Sequence, residues 1–309
     1  MSFEVSTYED LKKVGTGIDG WTLDADYIQT ADINASASKT ENPDGSGGYY
    51  GFEPIGTNTN KFTGIYDGQG HTISNLYINR PATDYIGLFG AINGEVSNLG
   101  LVDADITGNF GVGGLCGRNV GTITNCYSTG NVSGDDNVGG LCGRNFGTIT
   151  NCYSTGSVTG SRAGGLCGYT YYGTITNCYS TGSVSGDSYV GGLCGYIYKG
   201  TITNCYSTGS VTGNFNIGGL CGINNSGTIT NCYWNTETSG QSISSGGEGR
   251  TTAEMTYPYA ENTYVDWNFT NVWKEDKNYL WNNGYPVLLV FVDKYIITKS
   301  ATNITRNSA

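Results

Sequence analysis

The sequence predicts an all-β fold: a right-handed parallel β-helix, or β-solenoid, with coils of about 26 residues, a small N-terminal cap containing one helix, and a C-terminal cap. One segment recurs five times between residues 113 and 234, each copy contains short alternating stretches such as Thr-Ile-Thr, and 50 of the 309 residues are glycine. Alternation broken by glycine and asparagine is typical of strands and turns. Repetition at a fixed period indicates stacked coils, in which each repeat position forms a column. Right-handed winding is expected from the usual chirality of strand crossovers.

Composition and charge exclude several other classes of protein. Charged residues make up 13% of the chain, about half of the usual quarter, and the glycines have no three-residue period, so neither a helical bundle nor a collagen-like triple helix is expected. The net charge of −11 argues against nucleic acid and anionic membranes as partners. No stretch approaches the roughly 20 apolar residues of a membrane span, so membrane insertion is not expected.

The N-terminal part of the chain precedes the repeats. Residues 1–60 are expected to form an N-terminal cap together with the first strands. Their one convincing helix is predicted near Thr7 to Val14, with Thr7 as the N-cap and Asp10 as its capping-box partner. Such a cap would cover the unpaired backbone at the end of a solenoid. The chain does not open with a secretory signal, so we expect a leader that has been removed or another export route.

The repeats are expected to form the parallel β-helix over residues 61–234, with about six to eight coils. Each of the five clear copies reads G-G-L-C-G, a short variable loop, and then G-T-I-T-N-C-Y. The first cysteines of the copies are 25 to 27 residues apart, and weaker copies precede them.

The C-terminal part loses the repeat. Residues 235–292 contain Trp267, Trp273 and Trp281 and are predicted to form the C-terminal cap. Residues 293–309 form a tail, in which Tyr295 to Thr298 has the composition of a strand. A free strand and the open ends of a solenoid could pair with another copy, so a homo-oligomer or filament is one expected assembly.

The pattern G-G-L-C-G…G-T-I-T-N-C-Y-S-T-G resembles the GLUG repeat of microbial surface and secreted proteins. The resemblance extends over about residues 86–234 and includes flanking segments at 62–73, 233–240 and 285–288. It implies a β-solenoid that serves as a scaffold, located at the cell surface or outside the cell. In that family the first cysteine position more often holds valine or a similar apolar residue, so the paired cysteines are a feature of this chain.

Ten cysteines form two columns, because each of five coils carries two of them, 10 or 11 residues apart. The preceding coil has Phe89 and Leu99 at these positions, which indicates that both columns point inward. The joint loss of both cysteines there favours in-coil disulfides, each stabilising by about 2–3 kcal/mol, and buried free thiols are the alternative. A metal site is not expected from one histidine and no Cys-x-x-Cys spacing. The in-coil pairs would be Cys116 with Cys126, Cys142 with Cys152, Cys167 with Cys178, Cys194 with Cys205, and Cys221 with Cys232.

Threonines form a second pattern. Because Thr-Ile-Thr recurs in five coils, two ranks of threonine are expected on an outer face, with isoleucine inside. Threonines about 7 Å apart along a strand and about 4.8 Å apart between coils approximate ice-lattice spacings, so an ice-binding face is one interpretation. The alternative is that threonine suits an exposed strand. The array comprises Thr122, Thr124, Thr148, Thr150, Thr174, Thr176, Thr201, Thr203, Thr228 and Thr230.

Tyrosine and asparagine form further columns beside the second cysteines. The tyrosines could make an exposed strip that stacks on carbohydrate or a ladder that packs between coils. The asparagines are expected to turn a corner of each coil, where asparagine tolerates left-handed dihedral angles. The tyrosines are Tyr127, Tyr153, Tyr179, Tyr206 and Tyr233, and the asparagines are Asn125, Asn151, Asn177, Asn204 and Asn231.

Loops that vary between near-identical repeats are the expected place of specificity. Two edges vary, and the first is rich in aromatic and amide side chains, a composition suited to contact with a glycan or a protein. The alternative is that both edges are ordinary solvated loops. The candidate binding residues are Arg118, Arg144, Phe146, Tyr169, Tyr171, Tyr172, Tyr196 and Tyr198.

Catalysis is not expected, and neither catalytic residues nor cofactors are predicted. Enzymes that cleave polysaccharides need converging carboxylates, whereas the acids within the repeats are Asp135, Asp136 and Asp187, all in turns. Asp67 and His71, in a tight glycine turn, are interpreted as structural.

The leading hypothesis is a non-enzymatic extracellular structural or adhesive solenoid. It would be a microbial or viral surface or filament component that presents loops to a glycan or protein partner. The alternatives are an ice-binding protein that uses the threonine array and a polysaccharide-active β-helix enzyme.

Overall fold

The computed structural model describes residues 2–292, which form a parallel β-solenoid of about nine turns with coils of about 27 residues. The predicted fold class is confirmed, and the right-handed winding stays a prediction. The turns outnumber the expected six to eight because Ser2–Val5 and Asp26–Gln29 stack in the same ladder as the repeats. These two strands lack the repeat sequence, so repetition could not reveal them. The strand predicted at Tyr295 to Thr298 lies outside the described residues.

One face of the solenoid is a sheet of nine parallel strands, called the threonine sheet. Its five Thr-Ile-Thr segments pair in register, Thr122 with Thr148 and so on along the axis. In spatial order the strands are Ser2–Val5, Asp26–Gln29, Ile65–Asp67, Glu95–Ser97, Thr122–Thr124, Thr148–Thr150, Thr174–Thr176, Thr201–Thr203 and Thr228–Thr230.

A second face is a sheet of six parallel strands, called the cysteine sheet. The first cysteine of each repeat pairs in register with that of the next, and Cys116 pairs with Phe89 of the preceding coil. The strands are Phe89–Ile92, Cys116–Asn119, Cys142–Asn145, Cys167–Tyr171, Cys194–Tyr198 and Cys221–Asn225.

The third face is a sheet of sixteen strands, called the tyrosine sheet, in which each coil contributes short segments on both sides of a bend. Residues 273–274 and 287–288 pair separately as an antiparallel ribbon. The strands of the tyrosine sheet are Ile33–Asn34, Thr72–Ser74, Tyr77–Asn79, Gly100–Thr107, Phe110–Gly113, Tyr127–Gly139, Tyr153–Ser154, Ser157–Gly164, Tyr179–Ser180, Val184–Ser185, Ser188–Gly191, Tyr206–Ser207, Val211–Thr212, Phe215–Gly218, Tyr233–Asn235 and Glu248–Arg250.

Helices are short and lie outside the repeats. Helix α1 (Tyr8–Lys13) occupies the predicted position, and Thr7 and Asp10 form the predicted capping box. Helices α2 (Thr236–Ser239) and α3 (Thr252–Met255) follow the last repeat. Within residues 2–292, no helix has the length and apolarity required to cross a membrane. Single 3₁₀ turns occur at Ile18–Gly20, Ser36–Thr40 and Leu289–Phe291.

Asparagines at one corner form a hydrogen-bonded ladder along the axis. All have left-handed backbone angles, with φ between 50° and 54° from Asn98 to Asn231. Each side-chain amide donates to the amide oxygen of the preceding coil, at 3.0–3.3 Å from Asn125 to Asn204. Asn98 donates to the carboxylate of Asp67 at 3.0 Å, so Asp67 is the first acceptor of the ladder. The left-handed corner predicted for these asparagines is therefore present, and Asp67 has a structural contact.

The tyrosine column is stacked and covered. Neighbouring rings from Tyr127 to Tyr206 lie 4.8–5.0 Å apart, with interplanar angles of at most 6°. Residues 252–292, called the C-terminal segment, run along this column rather than only across the end of the solenoid. Phe291 packs edge-on against Tyr127 and Tyr153, at centroid distances of 5.4 and 5.0 Å. The tyrosines therefore form a packed ladder and not an exposed strip.

Candidate functional site

The ten cysteines are buried and carry free thiols in the structure, so the predicted in-coil disulfides are not formed in it. In the second column the sulfur atoms contact backbone groups instead. The Cys152 thiol accepts a hydrogen bond from the Cys126 amide at 3.4 Å and donates to the Thr150 carbonyl at 3.1 Å. Burial raises the pKa of the Cys126 and Cys221 thiols. Thiols that are buried and protonated react slowly with electrophiles.

A thiol count distinguishes free cysteines from disulfides. We expect ten reactive thiols after denaturation without reductant, and almost none in the native protein because the sulfur atoms are inaccessible. The measurement is titration with a chromogenic disulfide reagent before and after addition of guanidinium chloride. A count near zero in denatured, unreduced protein would instead show that the cysteines are paired in disulfides.

The threonine array lies where the sequence predicts it. Its members are half-buried in the first four coils, and Thr228 and Thr230 are exposed at the last strand. Each central isoleucine is at least partly buried beneath the two ranks. The ranks end at Glu95 and Ser97 of the preceding coil. The ice-binding interpretation of this array stays a prediction.

The candidate binding residues form two adjacent rows on the cysteine sheet. Arg118, Arg144, Tyr169 and Tyr196 pair in register along one row. The second row consists of aromatic residues at the ends of these strands: Phe146 lies 5.3 Å from Tyr171, and Tyr171 stacks on Tyr198 at 5.2 Å, while Tyr172 meets Tyr198 edge-on. The structure therefore brings the predicted loop residues together on one face.

A second set of side chains reaches this face from a left-handed corner. Equivalent positions of six successive coils have φ between 43° and 69°. Glycine and asparagine adopt such angles readily, but other residues do so at a cost of about 1–2 kcal/mol. Residues held in costly backbone conformations cluster at functional sites. The corner consists of Tyr85, Gly111, Asn137, Arg162, Tyr189 and Asn216.

The two sets enclose a cavity of about 400 Å³, called the aromatic–arginine cleft. The guanidinium carbon of Arg144 lies 4.9 Å from the ring centroid of Phe110 and 5.3 Å from that of Tyr169. Arg162 stacks on Tyr189 at 5.6 Å. The cleft is lined by Phe110, Asn137, Arg144, Arg162, Tyr169, Tyr189 and Tyr196.

Polar groups at the cleft are incompletely paired. Arg162 forms an ion pair with Asp136, and Arg144 donates to the Tyr85 hydroxyl at 3.2 Å. Burial raises the pKa of Asp136, and the charges of Arg162 and Arg144 oppose that increase. Among the described residues, the Asn137 Oδ1 and the Arg144 Nε are buried without a hydrogen-bond partner. The whole Asn137 residue is only 2% exposed. Buried polar groups usually have partners, so these two atoms are unusual, but both lie below the surface of the cleft.

Sequence reasoning identified about half of this cleft. Arg144, Tyr169 and Tyr196 were among the predicted binding residues. Asn137, Arg162 and Tyr189 are on the second variable edge, which the sequence shows to be variable but does not connect to the first. Phe110 belongs to the preceding coil and is in neither predicted edge. Arg162 and Tyr189 occupy a corner position that three other coils fill with glycine or asparagine, and this difference is the sequence signal that could have identified these two residues.

The GLUG motif matches this chain four times, which confirms the predicted resemblance. The four motifs lie within the β-solenoid and together span about a third of the 309 residues. They lie at residues 108–133, 134–159, 160–185 and 186–212.

Two curated proteins are similar to parts of this chain. Halomucin from Haloquadratum walsbyi is 40% identical over 136 residues, which are 42% of this chain and 1% of Halomucin. A protein from Evansella cellulosilytica, provisionally described as a Gly-rich membrane protein, is 48% identical over 80 residues, 24% of this chain and 9% of that protein. The chain therefore corresponds to a small part of either relative.

A solved structure shares the fold over nearly the whole chain. It is the crystal structure of a Bacteroides ovatus protein provisionally described as an immunoglobulin A1 protease. It superposes with a TM-score of 0.69 over 94% of this chain and 92% of that chain, at 24% sequence identity. At this identity the likeness shows the fold alone.

Within residues 2–292, no group of three or more His, Cys, Asp or Glu side chains is arranged to hold a metal ion.

Proposed function

We propose that this chain is a non-enzymatic module of a microbial cell-surface or secreted protein and that it binds a glycan in the aromatic–arginine cleft. The observation that carries the proposal is the convergence of four aromatic rings and two guanidinium groups around one cavity. Aromatic faces provide apolar area for sugar rings, while a few polar groups orient the ligand through hydrogen bonds.

Two further observations support this proposal, the first on the lack of catalysis and the second on the location of the protein. Cleavage of a glycoside needs a pair of carboxylates, and none of the seven described residues that line the cleft is a carboxylate. The Evansella relative is named as a membrane protein, which supports a location at the cell envelope. A stiff solenoid with a binding face is suited to present a cleft away from the cell.

Binding of defined oligosaccharides tests the proposal. A glycan array identifies ligands, and calorimetry with the full chain measures their affinity. We expect Tyr196→Ala to weaken binding by about tenfold or more, because this ring contacts both Tyr169 and Tyr189 in the cleft. Tyr196 lies on a regular strand, so alanine is compatible with its backbone.

Tyr50→Ala is the matched control. Tyr50 is 40% exposed and does not line the cleft, so its removal should leave the affinity unchanged. The absence of any glycan ligand, or equal affinities for Tyr196→Ala and the unmodified chain, would contradict glycan binding at this cleft.

A further inference from the structure

We infer that the glycan is acidic and that Arg144 and Arg162 bind its carboxylate or sulfate groups. The inference rests on the proposed function, because it specifies the class of glycan that occupies the same cleft.

Positive charge in the repeats is concentrated on one face. The chain has a net charge of −11, yet each of the four basic residues between positions 108 and 234 stacks on an aromatic ring on or beside the cysteine sheet. A local concentration of one sign of charge attracts ligands of the opposite sign. The four residues are Arg118, Arg144, Arg162 and Lys199.

The cleft itself keeps an excess of positive charge. Two guanidinium groups line it, and Asp136 balances one of them through its ion pair with Arg162. Arg162 also holds a left-handed backbone conformation, with φ of 43°, which asparagine or glycine would adopt at lower cost. Arginine at this position therefore destabilises the folded state relative to asparagine or glycine. A role in ligand binding would explain why arginine is present there.

The surroundings of Arg144 orient its guanidinium group without using all its donors. Phe110, Phe146 and Tyr169 lie within 4.9–5.3 Å of its guanidinium carbon. Stacking restrains the plane of the group, and one terminal nitrogen donates to the Tyr85 hydroxyl at 3.2 Å, which leaves further terminal N–H groups for a ligand. A restrained guanidinium group is suited to bidentate binding of a planar carboxylate or a sulfate.

Three classes of oligosaccharide test the inference by calorimetry: oligogalacturonate, which carries carboxylates; a heparin-derived sulfated oligosaccharide; and neutral cellohexaose. We expect at least one acidic ligand to bind about tenfold tighter than cellohexaose, with affinity that declines as salt is added. The first two arms distinguish carboxylate from sulfate recognition.

Charge variants locate the acidic groups of the ligand. Arg144→Gln should weaken acidic binding by about tenfold or more. The matched control Lys39→Gln removes the same charge from an exposed site in the N-terminal part, and it should change the affinity by less than about twofold. Asp136→Asn should tighten acidic binding severalfold and leave cellohexaose unaffected, a gain that misfolding cannot produce.

The results separate the two proposals. If cellohexaose binds as tightly as both acidic ligands and Tyr196→Ala weakens all three, the cleft binds glycans but the acidic preference is wrong. Equal losses for Arg144→Gln and Lys39→Gln would reveal a general charge effect and also overturn the inference. If no binding depends on Tyr196, the proposed function fails and the acidic preference fails with it.

Discussion

Gly182→Ala is expected to destabilise the solenoid by about 3 kcal/mol or more. A β-carbon at Gly182 would overlap the carbonyl oxygen of Gly156 in the preceding coil. The same contact recurs at Gly209, whose β-carbon would overlap the Gly182 carbonyl. The obstruction is backbone in both cases, so one side-chain rotation cannot relieve it. The coils would have to separate locally, at the expense of packing on both sides.

Chemical denaturation monitored by far-ultraviolet circular dichroism measures this effect. The matched control is Gly48→Ala, in which the new methyl group would meet the end of the Asp44 side chain, 2.6 Å away, rather than backbone. Asp44 can move, so a much smaller change is expected for the control. An unfolding midpoint for Gly182→Ala equal to that of Gly48→Ala would show that the coils are not packed as described.

Trp273→Ala is expected to destabilise the packing of the C-terminal segment by about 3–5 kcal/mol. Trp273 is fully buried. Its ring lies 4.3 Å from that of Trp267 and 6.0–6.2 Å from Tyr179 and Tyr206. Alanine would leave a large cavity between the segment and the tyrosine ladder. Because the repeats have a separate buried core, the segment should detach before the coils unfold.

Limited proteolysis with identification of the cleavage sites measures this detachment. In Trp273→Ala, early cleavage should fall within residues 252–292, while the repeats remain resistant. Trp281→Ala is the matched control, since Trp281 is only partly buried, and it should alter cleavage much less. Unchanged resistance of the C-terminal segment in Trp273→Ala would contradict the expected role of this ring.

The repeating part of the fold could be predicted from the sequence because identical residues recur at equivalent positions. The register of Cys116 with Cys142 and of Thr122 with Thr148 follows directly from that recurrence. Helix α1 was likewise predictable, because Thr7 and Asp10 form a local capping box. Both features depend on short-range or periodic information.

The packing of the C-terminal segment and the full cleft could not be predicted in this way. Phe291 contacts Tyr127, which lies 164 residues earlier in the chain, and no repeated pattern in the sequence indicates that contact. Arg144 and Arg162 meet the same cavity because a left-handed corner turns the second variable edge toward the first. The angle of that turn is set by contacts between coils, which the sequence of one repeat does not contain.

The C-terminal segment also limits how the protein can change length in evolution. Each coil of the asparagine ladder offers the same donor and acceptor as its neighbours, so duplication of a whole coil would preserve that corner. The segment, however, has contacts fitted to five tyrosines, from Phe291 at Tyr127 to Tyr264 at Tyr233. The tyrosine of a sixth such coil would lie beyond the reach of the C-terminal segment, and its aromatic ring would be exposed. Lengthening by duplication is therefore better accommodated in coils that the segment does not reach.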